Sequence, residues 1–252
     1  MLTFVGLGLY DLLDISLKGM QAINDADLVY LEQYTSCLIG TTVADMETRY
    51  KKQVRVLSRE DVEIHPDILI QESLEHNVVF LTGGDPMVST THMDLRIRAE
   101  DTGVKTRIIH GSSIVSAVCG LSGLQNYRFG KSCSIPFPAK NWFPSTPHDV
   151  ILGNLKRDLH TLVYLDIQND RFMTIREGID ILLGLSRQSH SIIPVFIGIA
   201  RAGSDAPVVR AGSDEEVQNH PFGGPLHILI IPGSLHPIEE EYLTRFAGYV
   251  PH

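Results

Sequence analysis

Cysteine is scarce in this 252-residue chain: Cys37, Cys119 and Cys133 are odd in number and scattered, with no Cys-x-x-Cys spacing. That argues against a disulfide framework and a structural zinc site, and points to reduced, buried thiols. Basic residues are also few, 21 Lys plus Arg against 30 Asp plus Glu, for a net charge of −9. A general nucleic-acid binder needs a basic face, which this balance does not supply. The densest basic stretch, Arg49-Tyr50-Lys51-Lys52, is short and reads as a solvated helix end. No apolar run reaches membrane-spanning length, and Met1 to Gly6 reads as the opening strand of the fold, not as a leader. The 11 histidines show no His-x-Glu-x-x-His or comparable metal spacing, and no Gly-x-Ser-x-Gly elbow is present. Zinc-hydrolase and serine-hydrolase chemistry are therefore disfavoured, and no metal is expected.

What is present is an alternation of short apolar runs and amphipathic stretches. Leu2 to Gly6, Leu28 to Leu31, Gln53 to Leu57, Asn77 to Leu81 and Lys105 to Ile109 read as strands. Helical spacing follows the first of them, with Leu17, Met20, Ile23 and Ala26 on one face and Asp14 or Ser16 as the cap. Ile68 to His76 and Thr91 to Thr102 read as further helices. Such alternation predicts a largely parallel sheet with helices on both faces, which binds ligands at the carboxyl ends of its strands. Beyond it, Ile135 to Pro147 carries four prolines with Phe137, Trp142 and Phe143, and predicts a long irregular connection. Strands are then expected at Thr161 to Ile167, Pro194 to Ile199 and His227 to Ile231, with a helix over about Arg176 to Leu185 and another near the end. The expected architecture is α/β, with an N-terminal domain over 1–112 and a C-terminal α/β domain over 113–252.

Two loops carry the chemical signal. Gly6-Leu7-Gly8 follows a strand, but position 11 is Asp11 where a dinucleotide fingerprint needs its third glycine. These glycines serve either a close backbone approach by a ligand or simply a turn. Thr82-Gly83-Gly84-Asp85-Pro86 makes a rigid turn after a buried strand and has no Walker Lys-Ser/Thr, so phosphate cradling is disfavoured. Asp85 suits a ligand amino group, a ribose hydroxyl or a cation, or else caps a helix. Around His110-Gly111-Ser112-Ser113 the backbone could line a cleft. His227, at the start of an apolar strand, reads as structural, and Asp166 and Asp170 as loop or cap residues.

Together these segments resemble the tetrapyrrole (precorrin) methylase superfamily and, within it, the diphthine synthases. The superfamily likeness rests on the opening strand with Gly-x-Gly, the Gly83-Gly84-Asp85-Pro86 turn and a second α/β domain. The narrower likeness rests on several runs: Gly6 to Asp11, Glu32-Gln33-Tyr34-Thr35-Ser36, Gly84 to Val88 with Thr90-Thr91-His92, and Gly120 to Gln125. Phe129-Gly130-Lys131, Ile135-Pro136-Phe137-Pro138, His160 to Val163 with Leu165-Asp166-Ile167, Ala200 to Ser204 and Pro232 to His236 continue it over nearly the whole chain. Leu12-Leu13 departs from the pattern, where more polar residues would be expected.

The resemblance implies two α/β/α domains of the tetrapyrrole methylase type with a cleft for S-adenosyl-L-methionine between them. It places Leu9, Asp85, Val88, Ser113, Ile114, Leu165, Ala202 and His227 at the cofactor positions. It also implies a homodimer that methylates the amino group of a 3-amino-3-carboxypropyl histidine on translation elongation factor 2; the charge and the short apolar runs argue against nucleic-acid and membrane partners, and the reduced thiols point to a cytoplasmic protein. Catalytic residues stay unassigned: a free amine fraction at neutral pH removes the need for a strong base, and Asp85 or His227 could take the proton. Exposed Trp142 and Phe143 in the proline-rich loop would suit docking of a protein substrate. The competing readings are a precorrin or uroporphyrinogen methylase, which the −9 charge disfavours, and a non-catalytic binding module.

Overall fold

The computed structural model describes residues 1–139, 144–168 and 171–251. The chain divides into two compact units, Met1–Ile114 and Val115–His252.

The first unit is built on five parallel strands: β1 (Leu2–Gly6), β2 (Leu28–Glu32), β3 (Val54–Leu57), β4 (Val78–Thr82) and β5 (Thr106–Ile109), in the order β3-β2-β4-β1-β5. β1 and β4 are buried along their whole length, as central strands covered on both faces must be. Alternation within β1 divides the core. Val5 and Leu7 pack with Ile23, Met46 and Tyr50, from helices α1 (Leu17–Asp25) and α2 (Val43–Tyr50). Leu2 and Phe4 pack with Val62, Leu69 and Leu95, from α3 (Arg59–Glu63), α4 (Asp67–Glu75) and α5 (His92–Asp101). Each face of the sheet thus has its own helical layer.

The strand order makes a switch point. β1 leads across the sheet to β2, while its neighbour β4 leads the opposite way to β5. Loops that leave adjacent strands in opposite directions open a crevice at their carboxyl ends. Both glycine loops stand there. Of the two cap candidates for α1 it is Ser16 that serves, its Oγ accepting from the Gly19 amide at 3.0 Å. Asp14 is used otherwise: its Oδ2 accepts from the amides of Leu9 (3.1 Å) and Tyr10 (2.8 Å) and ties down the loop after β1.

The second unit takes all of α6 (Ile114–Ser122) but its first residue, and its sheet is mixed, not parallel. Its strands are β6 (Cys133–Ile135), β7 (Thr161–Leu165), the short pair β8 (Ile167–Gln168) and β9 (Arg171–Phe172), then β10 (Phe196–Ala200), β11 (Val208–Gly212) and β12 (His227–Ile231). The main sheet runs β11-β10-β12-β7-β6, antiparallel except for β6 with β7. The remaining helices are α7 (Thr146–Leu155), α8 (Ile175–Ser189), α9 (Asp214–Gln218) and α10 (Pro237–Phe246). Pro147 stands in the first turn of α7, where its missing N–H costs nothing, so the helix begins one residue before the expected end of the irregular stretch. Trp142, Phe143 and Asp170 lie outside the described residues. Asp166 stabilises a loop: its Oδ2 accepts from the Phe137 amide at 2.7 Å. Among the described residues no helix is long and apolar enough to cross a membrane.

Four histidines of this unit, His148, His160, His220 and His227, are all held below the ordinary imidazole pKa, chiefly by burial. Each stays neutral in the folded chain at pH values where the unfolded chain already takes up a proton. The stability they help maintain is therefore complete above the unfolded value of about 6.5 and declines as pH falls below it. Calorimetric scans from about pH 7.5 to about pH 5 should show a falling midpoint; a loss of ~2 kcal/mol corresponds to roughly 4–8 °C in a chain of this size. A midpoint unchanged over that range would refute the burial of these rings.

Candidate cofactor and methyl-acceptor site

At the switch point three strand ends are drawn together by glycine. Gly8 and Gly84 pair across the two loops, Gly84 N to Gly8 O at 2.6 Å and Gly8 N to Gly84 O at 3.3 Å. A Cβ on Gly6 would lie 2.5 Å from the Gly84 carbonyl oxygen, and one on Gly111, just after β5, would lie 2.4 Å from that same atom. The alternative between a ligand's approach and a turn thus resolves partly into a third use: Gly6 and Gly111 let main chain pack on main chain. Gly84 differs. Its φ of +74° needs glycine, and the space its side chain would fill is open, with no atom within 4 Å. That is the bare strip of backbone at the mouth of the sheet.

Two family runs hold this loop in place. Glu32, fully buried at the end of β2, accepts from the Thr35 amide (3.1 Å) and from the hydroxyls of Thr35 and Thr82. His92 is also fully buried and bonds the Pro86 carbonyl through Nδ1 at 2.9 Å. Its Nε2 lies 3.9 Å from Glu32 and has no hydrogen-bond partner among the described residues. Ser36 packs where a Cβ on Gly83 would point. The Glu32–Ser36 and Thr90–His92 runs therefore act on the Gly-Gly-Asp-Pro turn.

Asp85 does not cap a helix; the residue preceding α5 is Thr91. Its side chain is 7% exposed and committed at both oxygens. Oδ1 accepts from the Met87 amide at 3.0 Å, and Oδ2 lies 2.7 Å from His110 Nδ1. His110 itself is 74% exposed in its side chain. Sequence reasoning noticed only the backbone of that segment. The missed signal is a histidine directly following a strand of the parallel sheet.

The positions implied by resemblance fall into two groups, one in each unit. Leu9 follows β1, Asp85 and Val88 follow β4, and Ser113 and Ile114 follow β5, on three adjacent strands at their carboxyl ends. In the second unit Leu165 ends β7, His227 starts β12, and Ala202 lies two residues beyond β10. Ala200 pairs with His227 and Ile228 with Tyr164, so continuing the antiparallel register sets Leu165 beside His227. These three therefore share one end of three adjacent strands.

His227 is held by its surroundings. The Ile175 amide donates to Nδ1 at 3.3 Å, so Nε2 carries the proton and donates to the carbonyls of Gly224 (3.0 Å) and Gly223 (3.2 Å). Arg201 clamps the same loop, giving Nη1–H bonds to the carbonyls of Phe222 (2.6 Å) and Gly224 (2.8 Å). Burial first, and then the Arg201 charge, keep His227 neutral. With both nitrogens engaged by main chain, it is not placed to accept a proton. The cysteines are free and half-buried; burial pushes Cys37 up to about 11 and Cys133 up to about 12, so neither is a ready nucleophile.

The comparisons with known proteins agree with this architecture. The family described as Tetrapyrrole (Corrin/Porphyrin) Methylases matches residues 1–193. The chain is 63% identical over 251 residues to the diphthine synthase of Methanospirillum hungatei, covering 100% of both chains. It is 62% identical over 248 residues to that of Methanoregula boonei, covering 98% of this chain and 99% of the relative. Among solved structures, a crystal structure of diphthine synthase is similar with a TM-score of 0.92 at 43% identity, covering 99% of this chain and 96% of that one.

Proposed function

The chain belongs to the tetrapyrrole methylase family and, within it, to the diphthine synthases, methyltransferases of diphthamide biosynthesis; from that premise we propose that it methylates, with S-adenosyl-L-methionine as donor, the amino group of a 3-amino-3-carboxypropyl histidine on translation elongation factor 2. The reaction class follows from the family. The cofactor residues, the acceptor and the cytoplasm as the place of work are our reading. The observation that supports it most is the convergence of Leu9, Asp85, Val88 and Ser113 on the loops after three adjacent parallel strands, beside an open strip of main chain at Gly84.

The residues present suit the donor. Half-buried Leu9 and exposed Val88 offer apolar surface. The Asp85 carboxylate, though bonded at both oxygens, keeps lone pairs for a hydroxyl or an ammonium. In the second unit Leu165, Ala202 and His227 stand at one end of three adjacent strands, with His227 fixed as the neutral tautomer. When bound, the cofactor supplies an electrophilic methyl group on a sulfonium. The protein then has to hold the acceptor amine in line with it and keep water out, and such positioning can contribute about 7–11 kcal/mol in favourable cases.

Asp85→Asn keeps the shape and removes the charge. Isothermal calorimetry with S-adenosyl-L-homocysteine should show binding weakened by about 10- to 100-fold, the worth of one hydrogen bond to a charged group. Unaltered affinity in that variant would remove Asp85 from the site. For the activity, elongation factor 2 bearing the aminocarboxypropyl group is incubated with enzyme and donor, and mass spectrometry counts the methyl groups added. A uroporphyrinogen arm runs in parallel. Methylation of the porphyrinogen but not the protein would overturn the assignment of the acceptor, and no cofactor binding at millimolar concentration would overturn the whole reading.

A further inference from the structure

We propose that His110 is the proton acceptor of the methyl transfer, oriented by Asp85 behind it. The inference rests on the proposed function above and adds a catalytic residue to it. The Asp85 carboxylate is nearly buried and anchored by the Met87 amide, so it is a fixed acceptor. His110 Nδ1 lies 2.7 Å from it, which places the ring proton on Nδ1 and leaves the Nε2 lone pair free. That nitrogen belongs to a side chain 74% exposed, at the carboxyl end of β5, three residues before Ser113. A carboxylate that fixes the tautomer of an imidazole and stabilises it once protonated is the arrangement by which histidine serves as a general base.

Of the other candidate bases, His92 is fully buried and three more are committed to hydrogen bonds. His227 spends both nitrogens on main chain. Glu32 is fully buried, with its oxygens bound to Thr35 and Thr82. Asp85 is bonded at both oxygens. Imidazole as a residue type accepts protons near neutrality, whereas the acceptor arrives mostly as an ammonium.

The step balances simply. An N–H bond of the acceptor ammonium breaks and its electron pair stays on nitrogen as the lone pair needed for attack. The proton bonds to His110 Nε2, giving an imidazolium beside the Asp85 carboxylate, and then leaves to water, which the exposure of the ring permits. Each further methyl on the same nitrogen requires one more such removal, so an exposed, readily reset base suits repeated transfer.

The test compares wild type with His110→Gln in single-turnover transfer to the aminocarboxypropyl factor, over a range of pH. We expect the variant to be slower by about 10²-fold near neutrality, with the deficit shrinking as pH rises and free amine accumulates. Added imidazole should restore part of the rate. Affinity for S-adenosyl-L-homocysteine, read by calorimetry, should stay within about threefold of wild type, because the altered group is not itself a cofactor contact. A variant with wild-type rate and pH profile overturns the proposal. So does a loss of rate matched by an equal loss of cofactor affinity, since that marks His110 as a support for Asp85. Failure of wild type itself to methylate the factor overturns the functional reading, and this proposal with it.

Discussion

Gly111→Ala is expected to destabilise the first unit by about 3 kcal/mol and to abolish cofactor binding, the larger end of what overpacking costs. The added Cβ would sit 2.4 Å from the Gly84 carbonyl oxygen and 2.7 Å from the Gly6 carbonyl carbon. Both are main-chain atoms beside the two central strands, and neither strand can shift without breaking its ladder to β2, β4 or β5. Any relief must come from parting the Gly8–Gly84 pair, and with it the edge on which Leu9 and Asp85 stand. Gly184→Ala is the matched control. It lies within α8, its Cβ would meet nothing within 4 Å, and it should stabilise the chain by roughly 0.5–1 kcal/mol. Urea denaturation of the three proteins checks both signs; equal midpoints for wild type and Gly111→Ala would mean that the strand ends are not packed as described.

Glu239→Ala is expected to cost about 3–5 kcal/mol, the penalty for removing one partner of a buried charge pair. Glu239 is fully buried near the start of α10. It accepts from the amides of Gln125 (2.9 Å) and His236 (2.8 Å), from Arg128 Nη1 (2.9 Å) and from His160 Nε2 (3.2 Å). Burial alone would raise its pKa; those donors reverse the effect and hold it below the usual carboxylate range. The Gly233 amide donates to His160 Nδ1 at 3.0 Å, so the ring is neutral and its Nε2–H points at the carboxylate. Loss of the carboxylate strands the Gln125, His236 and His160 donors and leaves Arg128 to Asp158 and Ser234. Function at permissive temperature should survive. Thr161 and Ile231 mark the hub's end of β7 and β12, and Leu165 and His227 mark the other, roughly 13 Å away at strand spacing. Calorimetric melting together with homocysteine-adduct binding separates the two effects; a melting point within about 2 °C of wild type would mean the hub does not stabilise the unit.

That hub shows where the sequence was readable and where it was not. The strands of the first unit were legible, because β1, β4 and their neighbours are short apolar runs closed by glycine or a turn. The β11 strand was not, since Val208–Gly212 is half-buried and carries Arg210, which turns back to Glu216 at 3.2 Å. Short helices α3 and α9, of five residues each, offer too few turns for a period to show, though each has a Ser cap. The runs that carried the family resemblance could be recognised but not interpreted. Gln125 and His160 lie far from Glu239 in sequence and meet it only in the folded chain, and the glutamate itself looks like any other in the first turn of a helix. The same holds for the candidate site: Asp85 stood out by its turn, while its pairing with His110, 25 residues on, depends on β4 and β5 both lying beside β1.

Leu2 lies opposite Val78 on one side and Thr106 on the other. β1 therefore finds its partners only in strands far along the chain, and long loops must close before any ladder bond of this strand forms. Until those loops close, Leu2, Phe4 and Val5, fully buried in the folded chain, stay uncovered. Refolding thus passes through a sticky stage, and the yield from denaturant should fall as protein concentration rises.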